Sequence, residues 1–228
     1  SALGVEGANF EILGIFVNQK RGFMMKSFAF ILLGIFINLS FFAQAAPRAP
    51  RPFQTPSSLQ DGLVYVWPQG VAFEELRFVG YLERIAQSGT RHLVLPYFGC
   101  QPNATSNEVG SCAIYPEDFT PRLARLAMSK GFLVTFMPIV LTPSGEWRGE
   151  FRPTNPARWF ETYGIWIKRI AKEAESLKTP QLIVASEFKP IYSYTQQWRQ
   201  LFKELRTIFS GPLIVNANWD ALESLGFW

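Results

Sequence analysis

Residues Gln181-Leu182-Ile183-Val184-Ala185-Ser186-Glu187 decide how this chain folds. Leu182 to Ala185 are apolar without in-out alternation, the pattern of a strand covered on both faces, as in a parallel sheet. The run then ends in a hydroxyl and a carboxylate. A strand of this kind carries its chemistry at its C-terminal end.

Similar runs rich in Val, Leu, Ile and Phe occur at Gly62–Trp67, His92–Phe98, Phe132–Val140 and Pro212–Trp219. Between them lie helical patterns with recognisable ends. Phe73–Ser88 stops at Gly89. Thr120 and Pro121 open the second as cap and first-turn residue, and Gly131 ends it. Asn155 and Pro156 open a third, running to about Ser176. Ser193 or Thr195 opens a fourth that ends before Gly211. This βαβαβαβαβ order, with no sequence repeat, predicts right-handed α/β crossovers on a parallel sheet. An open doubly wound sheet and a closed (β/α)8 TIM barrel share it. The first announces its ligand site by a glycine-rich turn, and no GxGxxG or Walker pattern is present. The second places working residues at the C-terminal ends of many strands. Here those ends carry Trp67, Tyr97, Trp147-Arg148-Gly149, Ser186-Glu187 and Asn216 to Asp220, so the fold expected is the barrel.

Composition sets the remaining bounds. With 48% apolar and 18% charged residues the chain has enough material for a sizeable core. Its net charge of +4 is spread out, without the basic run that tracks a phosphate backbone, so nucleic acid is not an expected partner. Residues 25–45 place Lys26 before an uncharged apolar stretch from Phe28 and close on Ala43-Gln44-Ala45, the layout of a secretory signal cleaved after Ala45. A retained membrane anchor is the other reading of that stretch. Residues 1–24 form an upstream extension with no assigned function, residues 46–60 a proline-rich linker, and residues 61–228 the barrel domain. Export to the periplasm or the cell exterior is the expectation, with no membrane contact once the signal is removed. Cys100 and Cys112 flank a polar loop. In an exported protein such a pair more often closes a disulfide than binds metal, and two free thiols are the remaining alternative. One cysteine pair and the single His92 do not complete a four-ligand metal site.

Aromatic planes, amides and a carboxylate around one rim suit a sugar, whose C–H faces stack on Trp and Tyr while its hydroxyls need polar partners. Glu187 is the sharpest candidate. Partial enclosure by aromatics would favour the neutral acid and let it donate a proton near neutral pH; a surface glutamate at a strand end is the plain alternative.

From Gly131 to Asp220 the chain resembles glycoside hydrolase family 113, barrel β-mannanases whose acid/base glutamate ends strand four. The matching stretches are Gly145-Glu146-Trp147-Arg148-Gly149, Trp159-Phe160 with Tyr163, Ser186-Glu187, Trp198-Arg199 with Arg206, Gly211-Pro212-Leu213, and Asn218-Trp219-Asp220. The resemblance implies that Glu187 is the acid/base of a retaining hydrolysis of β-linked, mannan-like polysaccharide or oligosaccharide. It also implies that Trp147, Arg148, Asn218 and Trp219 contact substrate and that no cofactor is needed; Trp67 and Tyr97, by their places after the first two strands, are further candidates at the rim. Met137-Pro138-Ile139 departs from the Lys-Pro-His-like end of the family's third strand. A non-catalytic carbohydrate-binding or cell-envelope protein on a degenerate barrel is therefore the rival reading. The resemblance puts the nucleophile on a seventh strand, whereas the sequence supplies about the first five βα units. The expectation is a domain incomplete at its C-terminus and inactive by itself.

Overall fold

The computed structural model describes residues 62–227; the expected extension, signal and proline-rich linker lie outside them. Five strands run parallel: β1 (Gly62–Val64), β2 (His92–Cys100), β4 (Leu133–Leu141), β5 (Leu182–Ser186) and β6 (Leu213–Asn216). A two-residue strand, β3 (Gly110–Ser111), adds to β2 in antiparallel fashion. The helices are α1 (Glu75–Gln87), α2 (Phe119–Ser129), α3 (Pro156–Ser176) and α4 (Thr195–Ile208). The order β1-β2-β4-β5-β6 never reverses. A doubly wound sheet has a reversal point where its ligand binds, so this order is the wall of a (β/α)8 barrel carried through five strands.

Strand alternation divides the apolar residues between two faces. Leu93, Leu95, Val134, Phe136, Leu182 and Val184 face the helices in the larger core. Val94, Met137, Ile139 and Ile183 pack on the opposite, inner face, with Val64, Phe98, Leu141 and Ile214 against them. This two-sided burial is why the strand sequences lack alternation. On the inner face His92 Nε2 lies 2.7 Å from Thr135 Oγ1.

The helix ends follow local chemistry, with two corrections. Asn155 caps α3 through its side chain, which accepts from Arg158 N, and Pro156 occupies the first turn. Gly89 and Gly131, at φ +91° and +81°, follow α1 and α2. Thr120 is not the cap of α2: the helix starts at Phe119, and the Thr120 hydroxyl donates instead to Pro96 O across to β2. α1 starts at Glu75 rather than Phe73 because Phe73 turns inward onto Trp67 and Phe119.

The strands also differ from the apolar runs at their ends. β1 stops at Val64, with one more ladder bond from Tyr65 N to Val94 O. β6 stops at Asn216, after which the chain turns through Asn218 to Ala221. β2 runs on to Cys100, where a disulfide to Cys112 and the pairing with β3 close the 101–111 loop.

Candidate active site

β5 ends at Ser186, and Glu187 is the first residue beyond it. A register shift between Ile183 and Ala185 places Ser186 opposite Asn216 on β6. An extra residue of this kind bends and twists a strand, and such irregularities re-aim a neighbouring side chain. Glu187 then takes φ +60°, a left-handed conformation that an ordinary L-residue avoids.

Three hydrogen bonds hold that backbone. Glu187 N donates to Asn216 O at 2.8 Å. The Tyr192 hydroxyl donates to the same carbonyl at 3.2 Å and accepts from Phe188 N at 3.1 Å. Burial pushes the Tyr192 phenol far up, so it stays protonated and able to donate. Asn216 Nδ2 donates to Ser186 Oγ at 3.1 Å, tying the two strand ends side chain to side chain.

The turn after β4 meets this carboxylate. Glu146 N donates to Thr142 Oγ1 at 2.8 Å, and Gly145 supplies φ +76°. Trp147 then leads into a single 3-10 turn, Arg148–Glu150. Arg148 Nη2 lies 2.5 Å from Glu187 Oε2, and Trp147 Nε1 donates to the same oxygen at 3.3 Å. Among the described residues Oε1 accepts no hydrogen bond. The Arg148 and Glu187 side chains are 18% and 25% exposed, so water screens the pair only in part. Burial lowers the guanidinium's hold on its proton and Glu187 opposes that effect. The expected enclosure of Glu187 by aromatic faces is thus replaced by one cation and one indole N–H. Gly149 makes the arrangement possible: a Cβ there would stand 2.5 Å from the Trp147 ring.

The candidates separate by strand parity. Trp67 is 2% exposed, packs on Phe73, Phe78 and Tyr81, and donates its Nε1–H to Val71 O at 2.9 Å. Tyr97 is buried edge-on against Phe136. Both lie on the helix-facing side, one residue out of step with the inner face, so neither presents its ring to a substrate at the rim. Trp147 and Arg148 meet Glu187. Asn218, beyond β6, is buried, and its Oδ1 has no partner among the described residues. Trp219 beside it is 89% exposed. Lys189 Nζ pairs with Asp220 Oδ2 at 2.5 Å and draws that carboxylate below its usual range. Trp159, Trp166 and Trp198 are buried packing residues of the helices.

The sequence places Tyr192 and Gly149 at strand ends on the rim, but the supporting roles they take here were not expected of them. Gly149 had a signal, a glycine directly after Trp147-Arg148 that invites close approach; the Tyr192 clamp depends on a turn that no spacing rule foretells. Among the described residues no group of three or more His, Cys, Asp and Glu side chains converges as a metal site. No described helix is long and apolar enough to cross a membrane.

A parallel, unreversed sheet with a buttressed glutamate just past its fourth barrel strand defines a (β/α)8-barrel protein with its polar constellation at the C-terminal rim. The chain belongs to Glycoside Hydrolase Family 113, whose family model matches residues 68–228. A complex structure of a GH113 β-1,4-mannanase is similar at 23% identity and TM-score 0.64, covering 73% of this chain and 58% of that one. Another structure of a GH113 β-1,4-mannanase gives 23%, 0.60, 67% and 53%. A GH113 β-mannanase from Alicyclobacillus acidocaldarius in complex with ManMIm gives 22%, 0.62, 68% and 52%. The likeness to these structures is one of fold, and the chain spans between 52% and 58% of their lengths. No curated protein matches the chain.

Proposed function

We propose that this chain carries the acid/base half of a retaining glycosidase acting on β-linked, mannan-like polysaccharide. The observation that carries the reading is Glu187. It sits just past the fourth barrel strand, in a left-handed backbone held by β6, with Oε2 anchored and Oε1 without a bond among the described residues. In the first step a nucleophilic carboxylate attacks the anomeric carbon, the glycosidic C–O bond breaks, and Glu187 gives its proton to the leaving oxygen. In the second, Glu187 takes a proton from water as that water displaces the carboxylate. Trp147 and Trp219 would stack on sugar rings, and Arg148 and Asn218 would bond their hydroxyls.

Retention needs the second carboxylate about 5–5.5 Å from the first. Asp220 is held by Lys189 and Glu146 by Ser144, and we infer that the nucleophile comes from outside the described residues. The 228-residue chain then binds β-1,4-manno-oligosaccharide without hydrolysing it, and Trp219→Ala weakens that binding in calorimetry. Turnover by the chain that Glu187→Gln lowers by about 10²–10⁴-fold would refute the missing nucleophile and keep the acid/base. Turnover unchanged in Glu187→Gln would overturn the role of Glu187 itself.

The rival reading, a carbohydrate-binding protein without chemistry, draws on Met137 and Ile139, which make the inner face at the end of β4 apolar. A carboxylate on a later strand beside Glu187 decides for the enzyme. Export remains part of the proposal, and the Cys100–Cys112 disulfide supports it, since such bonds persist in oxidising compartments.

A further inference from the structure

The turn that reaches Glu187 has no regular secondary structure of its own beyond one 3-10 turn. Its far end is hydrogen-bonded to the disulfide-closed loop 101–111. Ala104 touches the far end of the turn: its C=O accepts from Arg152 N at 2.8 Å. Thr105 O accepts from Thr154 N at 3.2 Å. Asn107 then fastens the following residues with both side-chain atoms. Its Nδ2 donates to Thr154 Oγ1 at 2.7 Å, and its Oδ1 accepts from Asn155 N at 2.6 Å.

The loop is itself anchored at several points. Gln101, 1% exposed, accepts from Trp159 Nε1 at 3.0 Å and donates to Asn103 O at 2.8 Å. Val109 N donates to Thr162 Oγ1 at 3.0 Å. Its two ends are joined by the Cys100–Cys112 bond. Only Val109 and Ala104 of this mostly polar loop pack on the core, so the covalent closure and these few bonds carry much of what fixes its shape.

We propose that the stapled loop, with Asn107 as its principal positioning residue, sets the turn that aims Trp147 and Arg148 at Glu187 Oε2. The chain of contact runs from the disulfide to Ala104, Thr105 and Asn107, then to residues 152–155, then back along the turn to Trp147 and Arg148. Glu187 gives this arrangement its purpose under the function proposed above. The contact itself is measurable without activity, so failure of the hydrolase reading leaves the test of this one intact.

The test is the Trp147 indole N–H resonance in the ¹⁵N-labelled 228-residue chain, identified by its loss in Trp147→Phe and by its response to Glu187→Gln. Asn107→Ala should move that resonance toward the free-indole position. It should also speed exchange of the Arg152 and Thr154 amides by about tenfold while β4 and β5 amides keep their protection. Asn107→Asp, which keeps the acceptor for Asn155 N, should restore part of both. The disulfide-free Cys100→Ser/Cys112→Ser chain should show the same pattern; if it does not fold, the two Asn107 variants carry the test. Asn107→Ala leaving the indole resonance and the 152–155 amides as in the parent overturns the proposal. So does exchange that rises equally in β4 and β5, which would mark general loosening rather than positioning.

Discussion

Glu187 stands in a conformation that costs an L-residue about 1–2 kcal/mol relative to the right-handed regions. Such strain persists only where surroundings over-determine it, and it gathers at functional sites. Here the determinants are the Asn216 carbonyl and the Tyr192 hydroxyl. Glu187→Gly and Glu187→Ala both remove the pairing with Arg148, but only glycine relieves the backbone. The glycine variant should therefore unfold at higher urea, by roughly 1 kcal/mol over the alanine variant. Equal stabilities would show that the left-handed backbone is unstrained. That the glutamate stood at a strand end was legible from the apolar run before it. Its cation partner was not, because the contact with Arg148 joins residues 39 positions apart through two turns.

At the scale of elements, the sheet and its helices meet through close aromatic contacts, and glycines mark where these are tightest. Trp166 of α3 lies against Gly99 of β2, where a Cβ would come within 2.7 Å of the ring. Tyr163 on the same helix donates to Val184 O on β5 at 2.8 Å, so α3 bridges two strands. Gly80 in α1 has nothing within 4 Å of where a Cβ would stand. The same substitution should then act with opposite signs at the two sites. Gly99→Ala should destabilise by about 1–3 kcal/mol through overpacking, and Gly80→Ala should stabilise by about 0.4–1 kcal/mol through helix propensity and a less free unfolded chain. Urea midpoints check both, and a stabilising Gly99→Ala would mean that Trp166 has room to shift. The apolar periodicity gave the helices and strands away. Their ends moved where a tertiary partner outbid a local signal, as with Thr120, which donates to Pro96 O instead of capping α2.

For the whole molecule, the inner face of the sheet carries one titrating group that matters between pH 7 and 5. His92 is the chain's only histidine, 6% exposed, and burial pushes its imidazole below the ordinary value of 6.5. The folded state then binds fewer protons than the unfolded state just below that value. Stability is full above pH 6.5 and declines as pH falls through it, because unfolding lets the ring take up a proton. The depressed carboxylates Glu146, Glu204 and Asp220 add their own losses only nearer their ordinary range. Urea unfolding at pH 7 and pH 5.5 should show the decline, and His92→Asn should flatten it; an equal slope in the variant would remove His92 as its cause. The sequence by itself determined the parallel α/β plan, the order of its elements and the glutamate at the end of the fourth barrel strand. Those rest on two-sided burial and local turn chemistry, which short stretches of residues encode. Only the tertiary structure decided which aromatics face inward, since a single step of strand parity turned Trp67 and Tyr97 into the helix-side core. It likewise decided what holds Glu187, since Arg148, Trp147, Tyr192 and Asn216 meet there through turns whose mutual placement depends on the whole sheet.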